Sequence, residues 1–236
     1  MARVPLVDSI YAVAQTLRIS APTVLESALG RLDLEVCDAR LDEWSARVVA
    51  RTQMDLRIHG PDPDWSRAYV VMSNHQSHYD IPVLFRVVRG RMRMVTKKEL
   101  FKFPIFGKAL RDSGFIEIDR GDRERAIASL KSAAEQLRSG THVWIAPEGT
   151  RSKNGAIGTL KKGGFVLARE TGLPILPISI QGTINVLPRG TSKTRLGQRV
   201  DVTMGKPIET QEPGVTTEAL MEQVREFFSK HAQVEG

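Results

Sequence analysis

Apolar residues recur at helical spacing near the start of the chain, at Leu6, Val7, Ile10, Tyr11, Val13, Ala14 and Leu17, with Asp8, Gln15 and Arg18 between them. Ser20-Ala21-Pro22 punctuates that run, and a second helical pattern extends from about Thr23 to Thr52 through Leu25, Leu29, Leu32, Val36, Leu41, Trp44 and Val48, with Gly30 a candidate break. The two patterns predict a helical hairpin, which either packs on a core or lies in a membrane interface. From Leu56 the texture changes to short apolar runs bounded by turn residues. These predict strands over 55–59, 68–73, 92–96, 115–118, 142–146, 175–180 and 200–204. Helical patterns intervene at 81–88, where Pro82 suits a first turn, and at 123–138, 164–170 and 216–231. Alternation of this kind predicts an α/β fold: a mixed, largely parallel sheet flanked by helices, with the hairpin over 1–54 preceding a unit over 55–236.

Charge sharpens the division. Residues 1–64 hold seven Arg and no Lys against ten acids, so they carry −3 while the rest of the chain carries +10. Nine bases stand between Arg86 and Arg111 with one acid, Glu99, and such a stretch attracts phosphate groups, an anionic membrane face or nucleic acid. No helix-turn-helix or zinc-finger pattern is present and aromatics make up 6% of residues, sparse for base stacking, which argues against nucleic acid. Cys37 is the sole cysteine, so neither an intrachain disulfide nor a thiolate metal cluster can form. No apolar run approaches the roughly 18–20 residues needed to span a bilayer, and the start of the chain lacks the order of a signal peptide, so membrane contact is expected to be peripheral.

Three strand ends carry candidate chemistry. Ser73-Asn74-His75-Gln76-Ser77-His78-Tyr79-Asp80 places polar side chains between a buried strand and a helix, where open α/β sheets bind ligands. On a continuous helix His75 and Asp80 would be poorly aligned, but a turn lets the carboxylate fold back onto the imidazole and stabilise its protonated form, which makes a general base. Alternatively, Asp80 caps the following helix, or His75, His78 and Asp80 hold a metal. In Pro147-Glu148-Gly149-Thr150-Arg151-Ser152, Gly149 permits close backbone approach, Arg151 can grip phosphate and Glu148 can accept from a hydroxyl; otherwise this is a plain turn with a surface ion pair. Gly114-Phe115-Ile116-Glu117-Ile118-Asp119-Arg120 would bring Arg120 into the same cleft if its strand adjoins the other two. Between these, Leu100 to Lys108 mixes aromatics with lysines and fits either a membrane surface or a core segment with solvated lysines.

Taken in order, NHQSHYD (74–80), TKKEL (96–100), FPIFG (103–107), GFIEIDR (114–120), PEGTRS (147–152), LKKGGF (160–165) and LPILPISI (173–180) resemble the phospholipid and glycerol acyltransferase family, in particular bacterial 1-acyl-glycerol-3-phosphate acyltransferases. The likeness covers roughly residues 55–210, and several spaced blocks in order are more specific than any one of them. It implies that His75 is the catalytic base and Asp80 its partner, that Glu148, Gly149, Thr150 and Arg151 hold the glycerol phosphate, that Arg120 binds phosphate, and that Lys98 belongs to the Lys-Glu-Leu block. His78 and Tyr79 stand where the family is commonly apolar, and Glu117 replaces a common aromatic. Strand alternation is expected to point Glu117 away from Arg120's cleft.

The resemblance implies transfer of a fatty acyl group from acyl-CoA or acyl carrier protein to the free hydroxyl of 1-acyl-glycerol 3-phosphate, giving phosphatidic acid. Another lysophospholipid, glycerol 3-phosphate or a lyso-aminolipid would use much the same residues. Remoter alternatives are a thioesterase, for which no Gly-x-Ser-x-Gly elbow is present, and a noncatalytic basic lipid-binding module. No metal or redox cofactor is called for, because the thioester is already activated. The expected location is the cytoplasmic face of the cell membrane, with residues 55–236 as the catalytic domain and acyl carrier protein as one prospective partner.

Overall fold

A computed structural model of the chain describes residues 5–103, 106–118 and 140–231. Helix α1 (Pro5–Ala28) and helix α2 (Leu34–Thr52) run antiparallel, because Asp8 pairs with Arg51, Arg18 with Glu43 and Glu26 with Arg40. The break falls at Gly30, whose φ of +66° suits glycine, and Asp33 restarts the chain by accepting from the Glu35 N–H at 2.7 Å. Pro22, expected to end the first helix, lies inside α1. An interior proline costs about 3 kcal/mol. Here the turn beyond it is held from outside: Arg40 reaches Thr23 at 3.2 Å and Glu26 at 2.6 Å, and the Thr23 hydroxyl donates to the Ile19 carbonyl.

The remaining elements are β1 (Asp55–His59), β2 (Val70–Ser73), α3 (Asp80–Val87), β3 (Met92–Lys97), α4 (Lys98–Phe101), α5 (Phe106–Asp112), β4 (Ile116–Ile118), β5 (His142–Ile145), α6 (Gly163–Thr171), β6 (Ile175–Gln181), α7 (Thr183–Val186), β7 (Arg199–Met204) and α8 (Thr217–His231). The helix expected at 123–138 lies outside the described residues. Seven strands form one sheet in the order β1-β7-β6-β2-β5-β3-β4. From β6 through β4 every pairing is parallel, whereas β7 runs antiparallel to β6 and carries β1 parallel to itself. The C-terminal ends of β6, β2 and β5 therefore meet in the middle of one sheet edge.

Strand alternation divides the core into two layers. Val71, Trp144, Leu176 and Ile178 face the hairpin and α3, while Val70, Met72, Val143 and Ile175 face Phe165 of α6 and Val224 and Phe228 of α8. β2 is buried at every position, as a central parallel strand covered on both faces must be.

The basic stretch that promised an anion-binding face is largely neutralised from within. Arg86 pairs with Asp42, Arg91 and Arg93 with Asp38, Arg89 with Asp62, and Lys108 with Asp112. Two of these acids, Asp38 and Asp42, come from α2, so the negative surplus of the N-terminal segment is complementary to the positive core and docks the hairpin on it. Arg93 is only 3% exposed, which makes its partner structurally necessary: removing one member of a buried pair leaves an uncompensated charge.

Candidate active site

The loop after β2 is shaped by its own side chains. Asn74 extends the β2 to β6 ladder, its amide donating to the Ile180 carbonyl at 2.8 Å and accepting from the Ile180 N–H at 2.7 Å. The chain then wraps around the buried Asp80 carboxylate. Oδ2 accepts from the Gln76 N–H at 2.7 Å and the Ser77 N–H at 2.9 Å, and lies 2.7 Å from His75 Nδ1. Oδ1 accepts from the Thr183 hydroxyl. Asp80 thus faces back into the turn instead of capping α3, whose N-cap position is occupied by Tyr79.

A carboxylate at Nδ1 fixes the proton there in the neutral ring and leaves the Nε2 lone pair as the basic site. Trp144 meets the His75 ring edge to face at 5.7 Å, and its own indole N–H is anchored on Ser73 Oγ at 2.9 Å. The imidazole is consequently held in one orientation while 16% of its side chain stays exposed. Among the described residues no group of three His, Cys, Asp or Glu side chains is placed to hold a metal ion.

The turn after β5 is stapled to this loop. Glu148 accepts from the His75 N–H at 3.0 Å through one oxygen and from the Gly158 N–H at 2.7 Å through the other, and the Ser152 N–H donates to the His75 carbonyl at 2.7 Å. Burial raises the Glu148 carboxyl above its ordinary pKa, and the two N–H donors oppose that rise. Gly149 has φ +71°, and the Lys161 ammonium lies 3.0 Å from where a Cβ would stand, so a side chain here would displace a cation from the turn. Thr150 is exposed and Arg151 half-exposed. Partial burial and then the Arg151 charge hold the His78 imidazole below its usual pKa. Among the described residues no acid pairs with Arg151, Lys153, Lys161 or Arg189, in contrast to the neutralised bases further back. Positive charge is thereby left available beside the His75–Asp80 pair.

Lys98 is half-buried at the start of α4, directly after β3 and hence on the same sheet edge. Arg120 lies outside the described residues. Its strand, β4, is the sheet edge, separated from β5 by β3 and not adjacent to β2 or β5. Glu117 pairs in register with Thr96, while Ile116 and Ile118 pack into the layer under α6 and α8, so Glu117 lies on the opposite, hairpin-facing side of β4. In the aromatic segment after β3, Phe101 is buried under the Arg111 guanidinium, whereas Phe103 is 60% exposed. Core packing accounts for Phe101, whereas Phe103 offers an apolar ring to the surroundings.

Between the hairpin and the sheet lies an apolar cavity of about 640 Å³. Val13, Leu17, Trp44, Phe85 and Leu110 line it, and it reaches His78 and Tyr79, the residues between His75 and Asp80 in the chain. Its size falls in the ordinary range of roughly 300–1,000 Å³ for small-ligand sites. Sequence reasoning missed Asn74, Trp144 and Thr183. The Gln181-Gly182-Thr183 turn could have been found, since it ends a third apolar strand in the way the other two motifs end theirs.

Comparison with known proteins gives the family and the fold. The acyltransferase family model matches residues 55–181. A chloroplastic 1-acyl-sn-glycerol-3-phosphate acyltransferase of Arabidopsis thaliana is 36% identical over 148 residues, which are 63% of this chain and 41% of that protein. The matched stretch thus spans about two fifths of that relative's length. The 1-acyl-sn-glycerol-3-phosphate acyltransferase of Salmonella typhimurium is 29% identical over 160 residues, 65% of each chain. The crystal structure of the 1-acyl-sn-glycerophosphate acyltransferase PlsC from Thermotoga maritima superposes with a TM-score of 0.76 at 26% identity, covering 96% of this chain and 94% of that one.

Proposed function

The chain belongs to the acyltransferase family, and from that premise we propose that it moves a fatty acyl group from acyl-CoA or acyl carrier protein onto the free hydroxyl of 1-acyl-glycerol 3-phosphate, forming phosphatidic acid. The observation that carries this reading is an oriented imidazole, its Nδ1 held by a buried carboxylate, beside the basic turn of Arg151 and Lys161 and an apolar cavity. Nε2 of His75 takes the proton of the acceptor hydroxyl as that oxygen attacks the thioester carbonyl. Asp80 stabilises the imidazolium that forms, and the same proton then passes to the departing thiolate. Arg151 and Lys161, with Lys98 and Arg120 as further cations, hold the acceptor phosphate and supply the proximity that makes attack effectively unimolecular. Glu148 serves the site through the backbone, fixing the His75 and Gly158 amides, with Gly149 and Thr150 shaping the turn. The cavity receives an acyl chain.

Acyl transfer to a panel of acceptors tests this reading. With labelled acyl-CoA or acyl carrier protein, label is expected in phosphatidic acid when lysophosphatidic acid is supplied. Label appearing only as free fatty acid would make the protein a thioesterase, and transfer to a different lysolipid alone would replace the acceptor.

No described helix is long and apolar enough to cross a membrane. α1 nevertheless exposes Ile10, Val13 and Leu17 at 58%, 60% and 63%, three positions along one face, and Val13 and Leu17 also line the cavity. This stripe supports peripheral contact with a membrane surface, for which we propose the cytoplasmic face, with the cavity wall turned toward the lipid. In flotation with anionic liposomes, Ile10→Ser, Val13→Ser and Leu17→Ser combined are expected to shift most of the protein to the unbound fraction. Unchanged flotation would remove α1 from the membrane face.

A further inference from the structure

We propose that Thr183 is a positioning residue of the His75–Asp80 pair, its hydroxyl fixing the plane in which the carboxylate meets the imidazole; this rests on the acyl-transfer reading above. The two oxygens of Asp80 are held very differently. Oδ2 is engaged three times, by His75 Nδ1 and by the Gln76 and Ser77 N–H groups, whereas among the described residues only the Thr183 hydroxyl donates to Oδ1. Rotation about the bond to an aspartate carboxyl is soft, so donors on one oxygen leave the group free to pivot and a donor on the second locks it. Asp80 and Thr183 are both fully buried, so an Oδ1 without that donor would be a buried charged acceptor with no protein partner.

The fold brings the hydroxyl there deliberately. Thr183 opens α7 directly after β6, and Gly182 before it has φ +88°, with the Arg199 carbonyl oxygen only 2.1 Å from where a Cβ would sit. No other residue fits position 182, and the tight turn aims residue 183 back at the loop after β2. The same segment grips that loop at two further points, Ile180 on Asn74 and the Leu187 carbonyl on the Ser77 hydroxyl at 3.0 Å. Those two hold the loop, and within this segment, among the described residues, it is Thr183 that touches the carboxylate.

Thr183→Val keeps the shape and removes the hydroxyl, and Thr183→Ser keeps the hydroxyl and removes a methyl. Steady-state transfer to lysophosphatidic acid is expected to show kcat about ten- to a hundred-fold lower in Thr183→Val, with KM within about two-fold of the native value. In Thr183→Ser, kcat is expected to return to within about three-fold. Alongside, the downfield NMR signal of the His75 Nδ1 proton is expected to broaden or vanish in the valine variant and persist in the serine variant. Native kcat and an unchanged proton signal in Thr183→Val would overturn the inference, as would a serine variant as slow as the valine one. The proton signal decides the positioning role even if the native protein transfers no acyl group, an outcome that would count against the acyltransferase reading instead.

Discussion

Replacing His75 with alanine is expected to lower kcat for acyl transfer by about a hundred- to ten-thousand-fold, the range set by loss of the proposed general base, while KM for the lysolipid stays near its native value. In the proposed mechanism the acceptor phosphate is held by groups the substitution does not touch, so binding is expected to survive when proton transfer does not. Stability changes little for a related reason. The ring is partly exposed, and the contacts it gives up are one bond to Asp80 and an edge-to-face contact with Trp144. Asp80 keeps its bonds to Gln76, Ser77 and Thr183. A variant with native turnover would remove His75 from the chemistry, and one that fails to bind lysolipid would give it a binding role.

Asp80→Asn is expected to have an effect of similar size through a different route. The asparagine carbonyl can take the place of Oδ2 and keep the Gln76 and Ser77 N–H bonds, while its amide donates to a Thr183 hydroxyl turned round to accept. The fold is therefore expected to survive with a small change in Tm. What disappears is the negative charge that, in the proposed mechanism, stabilises the imidazolium, and in hydrolase triads the same exchange costs about ten-thousand-fold in kcat. Asp80→Ala should behave differently, because it orphans two buried N–H groups at about 1–3 kcal/mol each and lowers Tm as well as turnover. Comparing kcat and Tm across the two variants separates charge from scaffolding. An asparagine variant with near-native kcat would contradict the assigned role.

Much of this was legible in the residues. Runs such as Ala68–Ser73 and Ile175–Ile180 announce buried strands because both faces of a central strand are covered, and Gly30, a candidate break in the second helical pattern, marks the turn of the hairpin through its positive φ. The His75–Asp80 pairing was readable once a turn was granted, since five residues suffice to fold a carboxylate onto a ring. Pro22 misled because its cost is local while the contacts that offset it, made by Arg40, come from seventeen and fourteen residues along the chain. The fate of the basic stretch was hidden for the same reason: Asp38 and Asp42 lie more than forty residues from the arginines they neutralise. Strand order was hidden too. Nothing local places β6 beside β2, and with that neighbour come Asn74's partner and the Thr183 hydroxyl.

The central claim is that an imidazole held by Asp80 activates the acceptor's hydroxyl for direct attack on a thioester. Release of thiol from acyl-CoA, followed with and without lysophosphatidic acid in bilayers, tests it most directly. Native protein should release thiol only when the acceptor is present, one equivalent per phosphatidic acid formed, and the His75→Ala variant should release almost none. Equal thiol release without acceptor, or undiminished release by the variant, would contradict it.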